Sequence, residues 1–263
     1  MIKFRRYKMR LILVCVLIAV PSAMLGAADN PDAGIGEIIA GHTVSEPVPL
    51  IPDKGLDGWT AHWGKPLTKT RWKNTDGKLE LQPPGKDYDH TNGDMVTVKE
   101  YKNFILDFDW IASKGCNSGV KIRLKDFGEI GAKINYSKTF GWLGIEYQIL
   151  DDPNNGEGKK EDGRWSSAAL YSMFAPDKDK KHLQPHGKVN SGRIVVLDNH
   201  IEHWLNGEKV LQYDIGSEVW NKALKGGKFA RAKGFGENAS GFIMLQDHGH
   251  AVTITKFTIR EID

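Results

Sequence analysis

The chain has 263 residues, with 36 Lys+Arg against 33 Asp+Glu and a formal charge of +3. Residues 1–28 hold five cations (Lys3, Arg5, Arg6, Lys8 and Arg10) and no acid, so the rest of the chain sets 31 cations against 33 acids and carries −2. A balance so close to neutral gives no electrostatic case for binding nucleic acid or an anionic membrane surface, and 40% hydrophobic with 26% charged residues is a globular rather than a disordered composition.

Taken in chain order, the basic stretch is followed by ten apolar residues, Leu11 to Val20, then Pro21 and small residues. This pattern predicts an export signal over 1–28, cleaved after Ala27 or Ala28. The run is too short to span a bilayer, which takes about 20 such residues. The expected address is therefore periplasmic or secreted, with no membrane contact beyond the signal. Cys15 lies inside the signal, which leaves Cys116 without a partner for an intrachain disulfide. Residues 29–49, rich in Gly and Pro and lacking a period, read as a linker or N-terminal strap.

From Leu50 onward, short β-type runs alternate with Gly, Asn and Asp clusters, and no helical pattern lasts beyond one or two turns. The expected strands are Leu79–Gln82, Asp94–Val98, Phe104–Ala112, Gly119–Lys125, Gly144–Leu150, Ala169–Phe174, Arg193–Leu197, His200–Leu205, Lys209–Asp214, Gly241–Gln246 and Val252–Arg260. Asn206-Gly207 between two of them is a strong hairpin signal, because a type I′ turn needs positive φ at both central residues. Residues 126–142 and 177–190 read as long surface loops. The whole predicts an all-β, antiparallel β-sandwich in a single domain over 50–263.

Strand parity then selects a candidate site. On Gly144–Leu150 the apolar set Ile145, Tyr147 and Ile149 leaves Glu146 and Gln148 on the other face. On Gly119–Lys125 the outward set is Lys121, Arg123 and Lys125. Beyond Gly241, the residues Phe242, Met244, Gln246 and His248 share one face, opposite Ile243, Leu245 and Asp247. If these strands are neighbours, Glu146, Gln148, Arg123, Gln246 and His248 line one concave sheet. Each is also an ordinary residue of a solvated sheet, where cross-strand ion pairs are worth under about 1 kcal/mol.

Other features are weaker. Asp152-x-Asn154-x-Gly156 echoes a calcium loop without its terminal Glu. The pairs His182/His186 and His248/His250 fall short of a zinc set. No cofactor is required by the sequence, although a divalent metal polarising a carbonyl oxygen is compatible with it. Trp63, Trp142 and Trp165 suit sugar stacking or rim packing equally. His203 shares a face with Ile201 and Leu205, as a semi-buried histidine would, and Cys116 reads as a small buried residue.

Seven motifs occur in order: Gly-Leu-Asp-Gly-Trp at 55–59, Asn-Ser-Gly-Val-Lys-Ile-Arg at 117–123, Glu-Tyr-Gln-Ile-Leu-Asp-Asp at 146–152, Ala-Leu-Tyr at 169–171, Asn-Ser-Gly-Arg-Ile-Val-Val at 190–196, Ile-Glu-His-Trp-Leu-Asn-Gly at 201–207 and Leu-Gln-Asp-His-Gly at 245–249. From about Leu50 to Ile262 the chain thereby resembles the bacterial exported 3-keto-disaccharide hydrolase domain family, within the concanavalin A-like lectin/glucanase superfamily of jelly rolls. Val189 stands where that family usually has Trp, and 126–142 is longer than usual. The resemblance implies a small carbohydrate partner, a glycoside already oxidised to a ketone at C3. It implies Glu146 and His248 as the catalytic pair, either one as base or acid, with Lys121, Arg123 and Gln148 holding the sugar and its ketone oxygen, and Gln246, Asn117, Tyr171 and His203 completing the substrate contacts. Two alternatives stand beside it. One is a non-catalytic carbohydrate-binding module. The other is a laminarinase-type retaining glycosidase, which needs paired carboxylates on one strand face, whereas Glu146 and Asp151 fall on opposite parities.

Overall fold

The structure, a computed structural model, describes residues 34–61, 65–68, 70–85, 93–134 and 141–263. The expected export signal and Trp63 lie outside them. The strands belong to the unit Ile38–Asp263; of the other unit, Met1–Glu37, residues 34–37 are described.

In chain order the strands are β1 (Val48–Pro49), β2 (Trp59–Thr60), β3 (Trp72–Thr75), β4 (Lys78–Leu81), β5 (Met95–Thr97), β6 (Phe104–Ala112), β7 (Asn117–Asp126), β8 (Trp142–Leu150), β9 (Val189–Leu197), β10 (His200–Leu205), β11 (Glu208–Asp214), β12 (Phe242–Leu245) and β13 (Val252–Glu261). Two helices, α1 (Gly128–Ile134) and α2 (Glu218–Gly226), interrupt them. Among the described residues the strands form an eight-stranded sheet, β11-β10-β9-β6-β13-β4-β3 with β1 on β13, and a five-stranded sheet, β2-β5-β12-β7-β8. All pairings are antiparallel, giving the expected β-sandwich. No helix among the described residues is long and apolar enough to cross a membrane.

Alternation builds the core. Phe104, Leu106, Phe108 and Trp110 of β6 face Ile145, Tyr147 and Ile149 of β8 across the sandwich, and the Phe108 and Tyr147 rings meet edge to face at 5.1 Å. Asn206 and Gly207 take φ of 49° and 88° and close the β10–β11 hairpin as the turn chemistry requires. Four elements depart from expectation. Ala169–Phe174 is a turn segment in which Leu170 makes isolated bridges to Tyr147 and Phe174. The long segment after β7 carries α1, a helix of seven residues. Helix α2 is capped by Ser217, whose side chain accepts the Trp220 N–H, and it buries Trp220 in a ring stack between Tyr213 and Phe235. The expected strap joins the sandwich through β1 and a bridge from Val44 to Ile262.

Strand β8 ends the five-stranded sheet. The loop after it returns along its free edge: Ala168 N–H donates to the Gln148 carbonyl (2.8 Å), Gln148 N–H to Ala169 (3.2 Å) and Tyr171 N–H to Glu146 (3.0 Å). This loop is braced internally. Lys181 Nζ donates to Asp152 Oδ2 (2.6 Å) and Ser166 Oγ (2.7 Å), and Ser167 N–H donates to Asp152 Oδ1 (2.8 Å). An ammonium thus sits on the carboxylate that heads the calcium-loop echo.

Candidate active site

Register places the candidate residues on the outer face of the five-stranded sheet. The pairs Lys121↔Glu146, Gly119↔Gln148, Met244↔Lys121 and Met244↔Val96 set Val96, Met244, Lys121 and Glu146 in one row across β5, β12, β7 and β8. The row beside it, by the same register, is Asp94, Gln246, Gly119 and Gln148, with Gln246 N–H donating to the Gly119 carbonyl at 2.9 Å. The face changes character along the strands. Past Met244 come Leu124, Phe242 and Trp142, which form a separate apolar cluster with Val96.

Gly119 fixes where the Glu146 carboxylate lies. A Cβ at 119 would stand 2.5 Å from Glu146 Oε1, so the missing side chain lets the carboxylate lean over β7. Lys121 Nζ lies 3.7 Å from Glu146 Oε2, near but beyond hydrogen-bonding distance. With its amide oriented to donate, Gln148 reaches Glu146 Oε1 and the Ser118 carbonyl, each at 3.2 Å. Asn117 Nδ2 donates to Glu157 Oε2 (3.3 Å), and Tyr171 OH donates to Glu157 Oε1 (3.3 Å), so the β8–β9 loop adds a second carboxylate at the flank. Lys228, just past α2, stands 4.9 Å from the Tyr171 ring centroid. Burial lowers its pKa, against the raising effect of Glu146 and Glu157.

His248 lies past the end of β12, within electrostatic reach of Glu146 and Lys121, and its ring stacks on His250 at 6.4 Å. Protein packed around the ring lowers its pKa, which favours the neutral imidazole, and Glu146 opposes that shift. Among the described residues, Gln246 Oε1 and His250 Nδ1 are buried polar atoms without a hydrogen-bond partner.

Two of the expected site residues are elsewhere. Arg123 has φ of 50° at an irregularity where the β7–β8 register shifts between Ile122 and Lys125. That bulge inverts the parity. Leu124 takes the outer face, and the Arg123 guanidinium turns to the carbonyls of Gly236 (3.0 Å) and Asp198, buried away from the site. His203 is fully buried between the sheets, with Nδ1 on the Ala168 carbonyl (3.0 Å), Nε2 on Tyr213 OH (3.2 Å) and its ring against Tyr147. Burial drives its pKa down to about 4, so it is a neutral core residue. Asp151 is likewise off the face, accepting from Gly115 N–H at 2.7 Å with His186 at 3.5 Å. It cannot pair with Glu146 as a retaining glycosidase requires. Trp165 has its ring covered by Lys160 and Arg164. Cys116 is buried and its thiol is pushed up to about 12, chiefly by burial. Among the described residues no three His, Cys, Asp or Glu side chains converge as a metal set.

Glu157, Lys228 and Asp94 escaped the sequence reading. Asp94, directly before β5, shares the outer face; its Oδ1 accepts Asp247 N–H at 2.6 Å, and the Asp247 carboxylate is held by the Arg71 guanidinium. Burial first, and then the carboxylates of Asp247 and Glu146, raise the Asp94 pKa to about 7, against the lowering effects of Lys121 and the Asp247 N–H. No motif marks it, because it stands alone between Gly93 and a three-residue strand.

Residues 46–260 match the family model described as a 3-keto-alpha-glucoside-1,2-lyase-like domain. A Bacteroides thetaiotaomicron protein named 3-keto-disaccharide hydrolase is 30% identical over 236 residues, covering 82% of this chain and 78% of that one. A Parabacteroides distasonis crystal structure described as a candidate glycosyl hydrolase is 30% identical, with a TM-score of 0.67 over 82% of this chain and 94% of that one. A second structure from the same organism, 24% identical with a TM-score of 0.57 over 82% of this chain and 99% of its own, shares the fold. These matches support a carbohydrate-active hydrolase that cleaves a glycosidic bond. The chain belongs to the family of 3-keto-α-glucoside-1,2-lyase-like domains.

Proposed function

We propose that the protein cleaves glycosides whose sugar carries a ketone at C3, by β-elimination followed by addition of water. The observation that carries this reading is the placement of the Glu146 carboxylate on one sheet face beside Lys121, with Lys228 past α2 in electrostatic reach. A ketone at C3 acidifies the C2 hydrogen. Glu146 takes that proton, and the C–H electron pair becomes the C2–C3 enolate with its charge on O3. An ammonium beside O3 stabilises the charge as it develops. When the ketone re-forms, the electrons move into a C1–C2 double bond and the C1–O bond breaks; the leaving oxygen takes a proton. Water then adds at C1 of the enone, so the balance is hydrolysis. Neutral His248 can move a proton in either half of this sequence. Gln148, Gln246 and Asn117 offer amides to the sugar hydroxyls, with Tyr171 beside them. Export from the cytoplasm, read from residues 1–28, would place the activity in the periplasm or outside the cell.

The test compares a 3-keto-glucoside with its unoxidised parent, in deuterated water. Cleavage of the keto compound alone, with deuterium at C2 and a transient ultraviolet-absorbing enone, is the expected result. Equal cleavage of the parent sugar, or keto-sugar product without C2 deuterium, would refute the elimination. Binding without any product would identify a lectin-like module.

A further inference from the structure

The elimination needs a second proton transfer, at the leaving oxygen, and the outer sheet face carries one more carboxyl on which to seat it. Glu146 leans over β7, so its carboxylate stands two strands, or about 10 Å, from the β5 backbone that bears Asp94. Between them in the Asp94 row stand, among the described residues, Gln246 and the bare backbone of Gly119. The two carboxyls thus flank Gln246 on one sheet face, one on each side. Gln246 Oε1 is buried and has no hydrogen-bond partner among the described residues.

We propose that Asp94 is a catalytic residue of this site, the general acid that protonates the departing glycosidic oxygen while Glu146 removes the C2 proton from the other side. This rests on the elimination reading above. In the step, the C1–O electron pair passes to the leaving oxygen, the Asp94 O–H bond breaks, its proton goes to that oxygen, and Asp94 is left as carboxylate. Addition of water at C1 returns a proton to it. Nothing else is consumed.

Three features suit Asp94 to this role. Its Oδ1 is fixed by the Asp247 N–H, and Asp247 is itself clamped by Arg71, so the carboxyl is oriented by a braced neighbour. Gly93 belongs to the same brace, since a Cβ there would stand 1.9 Å from Asp247 Oδ2. Among the described residues the charged groups facing Asp94 are Lys121 from β7, Glu146 from β8 and Asp247 after β12; burial, with the two anions and against Lys121, raises the Asp94 pKa to about 7. An acid must hold its proton to donate it, and Asp94 meets that condition at neutral pH.

Leaving-group dependence tests this. Two 3-keto-glucosides of one anomeric form are compared, one releasing 4-nitrophenoxide, which departs without a proton, and one releasing methanol, which requires it. Asp94→Asn keeps the oxygen that accepts the Asp247 N–H and removes the acidic proton. The expected result is a loss on the order of 100-fold on the methyl glycoside, less than tenfold on the nitrophenyl glycoside, and unchanged C2 deuterium exchange. In the unsubstituted protein, kcat/KM for the methyl glycoside should fall as pH rises through about 7, a limb missing for the nitrophenyl compound. This profile is read without any variant, so a failure of Asp94→Asn to fold leaves the test intact. Equal losses on both leaving groups, no loss on either, or the same basic limb for both would overturn the assignment while leaving the elimination standing. A native protein that neither exchanges C2 deuterium nor cleaves either compound would overturn both readings.

Discussion

The outer faces of the two sheets hold similar charges in different ways. On the eight-stranded sheet, Glu202 accepts from Lys209 at 2.7 Å and from Trp204 Nε1 at 2.8 Å, and Asp107 accepts from Arg193 at 2.6 Å with Arg260 at 3.8 Å. Each of these carboxylates accepts at least one short, charged hydrogen bond from a cation on its own sheet. On the five-stranded sheet, the Lys121–Glu146 contact is 3.7 Å, Asp94 is pushed toward its protonated form, and Lys228 is pushed toward neutrality. A carboxylate whose partners are already at hydrogen-bonding distance stabilises the fold and has little to offer a ligand. One held close to charges without being satisfied by them is ready to bind charge that develops during a reaction. On the proposed reading the two faces separate bracing from chemistry within one sandwich.

The sharpest way to break this contrast is to make the same substitution on both faces. Glu146→Gln should lower turnover of a 3-keto-glucoside on the order of 1,000-fold with an unchanged melting curve. Glu202→Gln should leave turnover unchanged and cost about 2 kcal/mol in denaturant unfolding, the usual worth of a charged hydrogen-bond set. Reversal of either pattern would abolish the distinction.

A second comparison sets the interior histidine against the one on the site face. The native pKa of His203 is depressed to about 4 from an ordinary 6.5, so the unfolded state binds the extra proton between those values. Stability should then fall as pH drops from about 6.5 to about 4, by roughly 3 kcal/mol. Urea midpoints across that range should show this slope, and His203→Gln should flatten it; a slope unchanged by the substitution would place the titrating group elsewhere.

The smallest expected effect is the most local. Gly119→Ala places a methyl group where Glu146 Oε1 now rests. The atom displaced is the tip of a flexible side chain, so stability should change by under about 1 kcal/mol, while kcat should fall 10- to 100-fold because the carboxylate is moved. Full activity in this variant would show that the lean of Glu146 over β7 is incidental.

Much of this was legible in the sequence because β6, β8 and β10 alternate, and parity alone put Glu146 and Gln148 on the outer face. Parity misled where the ladder is irregular. The bulge after Ile122 inverts Arg123 and Leu124, and nothing in Val-Lys-Ile-Arg-Leu-Lys announces it. His203 was placed by its motif on the site, whereas its neighbours Ile201 and Leu205 gave the right answer, the core. The two-residue strands β1 and β2 are too short to show a period. Helix α2 depends on the Ser217 cap and one buried Trp more than on a sustained apolar stripe. Asp94 becomes visible only when β5 is laid beside β12, since its chemistry comes from neighbours more than 25 residues away in the chain.

The loop that returns along β8 carries one further consequence, for how such a domain can change over evolutionary time. Residues 168–171 seal an edge that would otherwise recruit strands from other molecules, and the same loop delivers Glu157 and Tyr171 to the site. Altering the pocket by remodelling this loop therefore endangers solubility as well as catalysis. Specificity can drift more freely through positions outside that hydrogen-bonded stretch, such as the aromatic pair Trp142 and Phe242 at the far end of the same face.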